Sequence, residues 1–143
     1  MKVKDILAAK GGDVIGIEPS ANLETAAKLL SKHRIGVVVI RGAGGRLAGI
    51  LSERDIVRTV AAQGAQALTH SVGQVMTRDV VTCSENDACA EIMERMTSHK
   101  FRHLPVLRDN TLIGLISIGD VVKERVDEIE RESEAMRDYI RTA

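Results

Sequence analysis

An internal repeat is the feature of this sequence that most constrains its fold. The segment GILSERDIV at residues 49–57 returns as GLISIGDVV at residues 114–122, an offset of 65 positions. Upstream, residues 29–40 match residues 95–106 at an offset of 66, so the intervening loop is one residue shorter in the second copy. Loops absorb such changes in length. Nearly the whole chain therefore consists of two copies of one unit.

Both copies predict the same order of secondary structure. A short β-branched run, VIGI or VVTC, is typical of a strand, and an amphipathic helix follows. We predict Asn22 and Asp87 as the N-caps of these two helices. A hairpin of two strands and a final helix complete the unit. The sequence thus predicts an α/β fold of two β-α-β-β-α repeats, residues 1–65 and 66–126, each with a short leading helix, and a helical extension over residues 127–143.

The composition excludes several functional classes. With 143 residues, 44% of them hydrophobic, the chain suits one compact domain whose halves share a core. Twenty basic residues balance twenty acidic ones, and one Phe, one Tyr and no Trp provide few stacking platforms, so we expect no nucleic-acid partner. Cys83 and Cys89 form neither a disulfide framework nor a CxxC knuckle. No apolar run reaches the length of a signal peptide or membrane span. We expect a cytoplasmic protein with no metal site and no membrane contact.

A Ser-x-x-Asp motif occurs just before an apolar helix in both copies, as Ser52 with Asp55 and as Ser117 with Asp120. One interpretation is a capping box, in which the hydroxyl and the acid satisfy free N–H groups. In the other, the helix start binds an anion and the carboxylate accepts the two hydroxyls of a ribose. Both can hold at once. A hydrolase triad with His103 is disfavoured, because the acid would share one helical turn with the serine instead of standing behind the histidine.

This pattern resembles the CBS domain, named for cystathionine β-synthase, in its usual tandem arrangement. The resemblance covers roughly residues 3–126 and rests on HKFRHLPV and on the two Gly-h-h-Ser-x-x-Asp blocks, where h is apolar; SERD in particular is similar to small stand-alone bacterial members. It implies a pseudo-twofold disc with two clefts, where many members bind adenine nucleotides. The predicted function is a non-catalytic regulatory module that binds AMP, ADP, ATP, NAD(H) or an S-adenosyl ligand and requires no cofactor. The alternatives are a structural dimer scaffold with empty clefts and a hydrolase.

The resemblance also implies which residues surround the nucleotide. The motif Ser and Asp contact phosphate and ribose, and strand ends with the RHLP backbone surround the base. The predicted contacts are Gly16, Ile17, Gly36, Val37, Val38, Ser52, Arg54, Asp55 and Arg58 in the first copy and Thr82, Arg102, His103, Leu104, Pro105, Ser117 and Asp120 in the second.

Two differences between the copies bear on these contacts. Arg102 and His103 stand where the first copy has Gly36 and Val37, so we expect the cleft that contains Asp120 to bind more tightly. Arg54 and Arg58 begin a helix and could neutralise phosphate in either cleft. The alternative roles are a packing position for the histidine and a solvated helix face for these two arginines.

The C-terminal segment carries a heptad pattern. Its seam residues are spaced 4, 3, 4, 3 and 4 apart: Val122, Val126, Ile129, Ser133, Met136 and Ile140. We predict one helix from residue 118 to about residue 141 and a homodimer formed through this seam; the alternative is a helix folded back on its own domain. A module without a fused effector must also signal to a separate partner, which the sequence does not identify.

Overall fold

A computed structural model describes residues 1–142, which form six α-helices and two three-stranded sheets. The first half comprises α1 (Val3–Lys10), β1 (Gly16–Ile17), α2 (Leu23–His33), β2 (Val37–Arg41), β3 (Leu47–Ser52) and α3 (Glu53–Gln63). The second half comprises α4 (Val72–Val75), β4 (Cys83–Ser84), α5 (Cys89–His99), β5 (His103–Arg108), β6 (Thr111–Ser117) and α6 (Ile118–Thr142). The predicted α/β fold with two β-α-β-β-α repeats is confirmed. Within this range, none of the helices combines the length and the apolar character that crossing a bilayer requires.

The two sheets have the same topology. In each, the first strand runs parallel to the second, and the second pairs with the third in an antiparallel hairpin. The register places Val37 opposite Ser52 and His103 opposite Ser117. Each motif serine therefore lies beside the first residue of the preceding strand, and the helix that follows starts from that point.

One of the two predicted N-caps is confirmed. The side-chain oxygen of Asn22 accepts a hydrogen bond from the backbone N–H of Thr25 at 2.9 Å. The prediction of Asp87 is wrong, because Ala88 is the residue that precedes α5. The Asp87 carboxylate instead accepts the backbone N–H of Ser84 at 2.9 Å, which stabilises the turn between β4 and α5.

The halves do not share one core, contrary to the expectation from composition. Two separate clusters of buried residues occur, and each contains the leading helix of the other repeat. Val3 and Ile6 of α1 are buried with the second sheet, and Val72 of α4 is buried with the first. The exchange of leading helices links the two halves, so packing does not follow the sequence boundary at residue 65.

The exchange explains the glycine that opens each repeated block. A Cβ on Gly114 would lie 2.5 Å from a terminal methyl carbon of Leu7, which belongs to α1. A Cβ on Gly49 would lie 2.6 Å from the carbonyl oxygen of Thr77, just after α4. Both positions have no room for a side chain because the exchanged segment crosses the strand there.

The long C-terminal helix is confirmed, with its end at residue 142. Val121 is fully buried against the second half, but residues 129–142 are all exposed. At 1.5 Å per residue, this exposed stretch is roughly 20 Å long. The described helix is therefore not folded back along its own domain.

Candidate functional site

Both Ser-x-x-Asp motifs form a capping box with nearly the same geometry. The carboxylate of Asp55 accepts the backbone N–H of Ser52 at 3.0 Å, and the Ser52 hydroxyl oxygen accepts the N–H of Asp55 at 3.1 Å. The matching distances for Asp120 and Ser117 are 2.9 and 3.2 Å. The capping interpretation is thus confirmed for both motifs, and in each the cap uses only Oδ2 of the carboxylate.

A cavity of about 240 Å³ opens beside the first motif. One half of the protein contributes residues 36–37, Ile50, residues 52–55 and Thr77, and the other contributes residues 100–103. We call this cavity the Asp55 cleft. It joins the helix start of one repeat to the beginning of β5 in the other, so both halves are needed to form it.

Three cationic side chains line the Asp55 cleft: Arg54, Lys100 and Arg102. Among residues 1–142, none of the three forms an ion pair. The acids in the lining are Glu53 and Asp55, so the cleft carries an excess of positive charge at neutral pH. Unpaired cations at a helix start form a site suited to an anion.

The second motif has a different environment, because a lysine from the exchanged helix contacts its carboxylate. The ammonium group of Lys10 lies 2.7 Å from Oδ2 of Asp120 and also donates to the carbonyl oxygen of Leu115 at 2.9 Å. We call the surroundings of this motif the Asp120 cleft. Asp55 also has a cation nearby, but the guanidinium of Arg58 is 3.9 Å away and mostly exposed, whereas Lys10 forms a short hydrogen-bonded ion pair with Asp120.

The pKa of Asp120 reflects this contact. Burial raises its pKa, but the hydrogen bond from Lys10, the bonds from Ser117 and the charge of the ammonium group together bring the pKa below the ordinary value. The Asp120 carboxylate is therefore ionised at neutral pH and held by the lysine. Lys10 contacts Oδ2, the oxygen that also accepts the cap N–H, so a ribose at this carboxylate would compete with the ammonium group for a charge-assisted hydrogen bond.

His103 lies between the two clefts. It pairs with Ser117 across the hairpin, and it lines the Asp55 cleft. Burial lowers the pKa of His103, and the nearby charge of Lys10 lowers it further. The imidazole is thus neutral at pH 7, where it can donate or accept a hydrogen bond but adds no charge.

The structure groups the predicted site residues differently from the sequence comparison. We expected Arg102 and His103 to surround Asp120. Both residues line the Asp55 cleft, and the charge of Asp120 also acts on the pKa of His103. The reason is geometric: β5 begins where the two halves meet, so its first residues face the motif of the other repeat. Arg58 lies outside this cleft, with its guanidinium 3.9 Å from Oδ1 of Asp55, in a neighbouring groove.

The remaining predicted contacts lie along the strands. Leu104 and Val38 are fully buried and Pro105 is buried, so only their backbone groups are available to a ligand. The side chain of Arg41 crosses Gly16, where a Cβ would lie 2.7 Å from its Nε. The lining of the Asp55 cleft does not include Gly16, Ile17, Val38, Thr82, Leu104, Pro105, Ser117 or Asp120. Their role in binding stays a prediction.

Sequence reasoning missed several residues that the structure brings to the two clefts. Lys100 ends α5 in the left-handed conformation, as Arg34 does at the matching end of α2, so the repeat itself contained the signal for a basic residue here. Phe101 and Thr77 gave no such signal. Lys10 is 110 residues from Asp120 in sequence, and no local pattern indicates that contact.

Comparison with known proteins places these features in a family. Residues 3–62 and 72–127 match the CBS domain. The chain is 47% identical to a CBS-domain-containing protein of Agrobacterium tumefaciens, whose crystal structure superposes with a TM-score of 0.84 over 87% of this chain and 99% of that one. It is 32% identical over 146 residues to a mitochondrial CBS domain-containing protein of Arabidopsis thaliana, covering 96% of this chain and 71% of the relative. A CBS domain pair solved with 5′-methylthioadenosine and S-adenosyl-L-methionine is 26% identical, with a TM-score of 0.77 over 90% of this chain and 98% of that one.

Proposed function

Because the chain belongs to the CBS-domain family, we propose that it is a regulatory module that binds an adenine nucleotide in the Asp55 cleft. One observation carries the proposal: a single cavity brings together the Ser52–Asp55 helix start and three cations that have no ion-pair partner among residues 1–142. The solved relative that holds two adenosine derivatives supports the choice of adenosine as the common part of the ligand.

The charge of the cleft favours a ligand with phosphate. Arg54, Lys100 and Arg102 line the same cavity, and a phosphate is an acceptor to which all three can donate. An S-adenosyl sulfonium would bring one more positive charge into this environment. We therefore propose a nucleoside phosphate as the ligand in preference to an S-adenosyl compound.

The size of the cleft favours a mononucleotide. Its volume of about 240 Å³ is slightly below the range of typical ligand pockets, which span roughly 300–1,000 Å³. In the proposed arrangement, Asp55 accepts the ribose hydroxyls and Ser52 with the start of α3 binds the first phosphate. Further phosphates of ADP or ATP would extend toward solvent, whereas the second nucleoside of NAD(H) would lie outside the cavity.

The proposed output is a shift of conformation or partner affinity, without catalysis. A ligand that contacts both halves stabilises one relative arrangement of them over others. We propose that a separate protein, so far unidentified, or a second copy of the chain responds to this shift in the cytoplasm. The exposed apolar seam of α6, residues 122–140, supports self-assembly as a homodimer, because a seam of this kind is stabilised by burial against another helix.

Mass spectrometry of small molecules released from the purified protein tests the ligand class. Thermal melting with AMP, ADP, ATP, NAD, NADH and S-adenosylmethionine then ranks the candidates, and we expect the largest stabilisation from AMP or ADP. Adenosine serves as the control that lacks phosphate. If none of these compounds shifts the melting temperature, the chain is a scaffold with empty clefts.

Chromatography of the nucleotides after long incubation tests the absence of catalysis. We expect every nucleotide to be recovered unchanged. Stoichiometric turnover that Ser52→Ala or Ser117→Ala abolishes would show that the protein is an enzyme.

A further inference from the structure

The charges beside the seam of α6 specify how two copies pair. We infer that two copies of this chain associate through α6 as a parallel, in-register coiled coil. This inference rests on the self-assembly proposed above and adds its orientation and register.

The seam and the face that packs on the protein body are distinct. Val121 is buried, and Glu124 and Glu128 lie on the same face, partly covered by the second half. The seam is rotated away from this face by roughly one quarter to one third of a turn, at 100° per residue. Its apolar members are 45–69% exposed: Val122, Val126, Ile129, Met136 and Ile140. A second helix can therefore reach the seam without displacing the contacts that anchor α6.

The residues that flank the seam carry a charge pattern. In heptad terms, Val126, Ser133 and Ile140 occupy a positions, and Val122, Ile129 and Met136 occupy d positions. The g positions that precede the a residues hold Arg125, Glu132 and Tyr139, and the e positions that follow the d residues hold Lys123, Glu130 and Arg137. These e and g side chains decide the orientation of a coiled coil.

Parallel pairing brings opposite charges together. In a parallel coiled coil, a g residue faces the e residue five positions further along in the partner helix. Arg125, whose guanidinium lies 3.2 Å from Glu128 of its own helix, then also faces Glu130 of the partner. Glu132 faces Arg137 of the partner. The twofold axis repeats both pairs, which gives four attractive contacts.

Antiparallel pairing brings like charges together. Full overlap of the seam sets Val126 opposite Met136 of the partner, and it places e beside e and g beside g. Glu130 and Glu132 would then each face their own copy, and Lys123 would face Arg137 of the partner twice. All four contacts are repulsive, so the charge pattern selects the parallel arrangement.

Cysteine cross-linking of the full chain distinguishes the two orientations. In the parallel helix pair, Met136→Cys lies across from its own copy, and mild oxidation should join most of the protein as dimers. In the antiparallel pair the same two thiols are roughly 15 Å apart, and only a mixture with Val126→Cys forms cross-links. The native thiols can stay in place, because burial raises the pKa of Cys83 to about 12 and also raises that of Cys89.

Sedimentation of charge variants provides a second readout. Glu132→Arg places like charges at two parallel contacts and should raise the dimer dissociation constant by about tenfold, and adding Arg137→Glu should restore it. Glu134→Arg is the matched control, since it makes the same change at an exposed b position outside the interface. In an antiparallel dimer, Glu132→Arg would replace one repulsive contact with another and change little.

The outcomes separate the orientation from self-assembly and from nucleotide binding. Ile129→Asp with Met136→Asp should give a monomer; a dimer that persists would show that the interface is elsewhere, and a parent protein that is itself monomeric would overturn the inference. Cross-linking only in the mixture of variants would establish the antiparallel pair. Melting shifts with AMP in the double-aspartate variant report on the cleft alone, so failure of one proposal leaves the other measurable.

Discussion

The two Ser-x-x-Asp motifs share their backbone geometry and differ in what reaches their carboxylates. Each motif forms the same capping box, with hydrogen bonds of 2.9–3.2 Å. Asp55 lies beside a cavity lined by Arg54, Lys100 and Arg102 and has only the distant guanidinium of Arg58 at 3.9 Å, whereas Asp120 is bonded to Lys10 at 2.7 Å. The difference originates in a residue that belongs to neither motif.

This comparison shows that a sequence repeat does not create equivalent sites. The motif determines the hairpin, the cap and the start of the helix, and these are the same in both halves. The exchanged helix α1 determines what the second carboxylate contacts. Because of this contact, which is distant in sequence, we propose the opposite ranking of the clefts from the one that residue types near the motif predict.

The contacts made by the exchanged segments should have unequal effects on stability. Gly49→Ala would push a methyl group against the backbone oxygen of Thr77, which has little freedom to move, so we expect a loss of about 2–3 kcal/mol in the free energy of unfolding. Gly114→Ala meets only the flexible end of Leu7 and should cost about 1 kcal/mol. Urea unfolding of both variants measures the two losses in the free energy of unfolding. Equal losses would contradict the proposed rigidity of the Thr77 backbone beside Gly49.

The cations of the Asp55 cleft should dominate affinity for phosphate. Arg102→Ala removes a charged donor, so we expect affinity for AMP to fall by about tenfold while affinity for adenosine changes little. Arg108→Ala is the control, because Arg108 lies at the other end of the same strand and is paired with Glu85. Calorimetric titration gives both constants, and unchanged AMP affinity in the Arg102 variant would place the phosphate elsewhere.

Removal of the lysine should make the two clefts more alike. Lys10→Met removes the ammonium group from the Asp120 carboxylate, so the ligand no longer competes with an ion pair worth about 1 kcal/mol or less. We expect binding of AMP at the second cleft to strengthen roughly fivefold, so that stoichiometry rises from one toward two. Weaker binding in this variant would mean that Lys10 is itself a phosphate contact.

The ion pair between Lys10 and Asp120 should make the free energy of unfolding depend slightly on pH in the acidic range. The folded-state pKa of Asp120 is below its ordinary value. The ionised carboxylate therefore stabilises the folded state above about pH 4, and this stabilisation is lost as the pH falls through the folded-state pKa. Lys10→Met should reduce this loss by at most about 1 kcal/mol, because the pair is partly exposed to solvent. Unfolding by urea at pH 7 and pH 3 measures the effect, and an acid dependence identical to that of the parent would show that the lysine contributes nothing.

Much of the fold could be predicted from the sequence because its signals are local. The repeat, the alternation of apolar residues and the caps at Asn22, Ser52 and Ser117 identify the elements and their order. The error at Asp87 has a physical cause, since an acid near a helix start can instead stabilise the turn before it. The expectation of one shared core failed because composition does not indicate which helix packs on which sheet.

The candidate site was only partly predictable, because it is assembled from both halves. The motif residues and the basic character of residues 100–103 are visible in the sequence. Which half faces which motif depends on the relative position of the two hairpins, and the contact of Lys10 depends on the exchange of α1. Both are properties of tertiary packing, which the repeat alone does not determine.

The central claim, that the nucleotide binds at Asp55 while Lys10 occupies Asp120, is tested most directly by calorimetric titration of AMP into three proteins. Asp55→Ala and Asp120→Ala each remove one cap, worth about 1 kcal/mol, so both variants should melt at similarly lower temperatures. At a temperature well below the melt, Asp55→Ala should weaken binding by roughly ten- to a hundredfold, and Asp120→Ala should change it by less than about twofold. An equal or greater loss with Asp120→Ala, or no loss with either variant, would contradict the account.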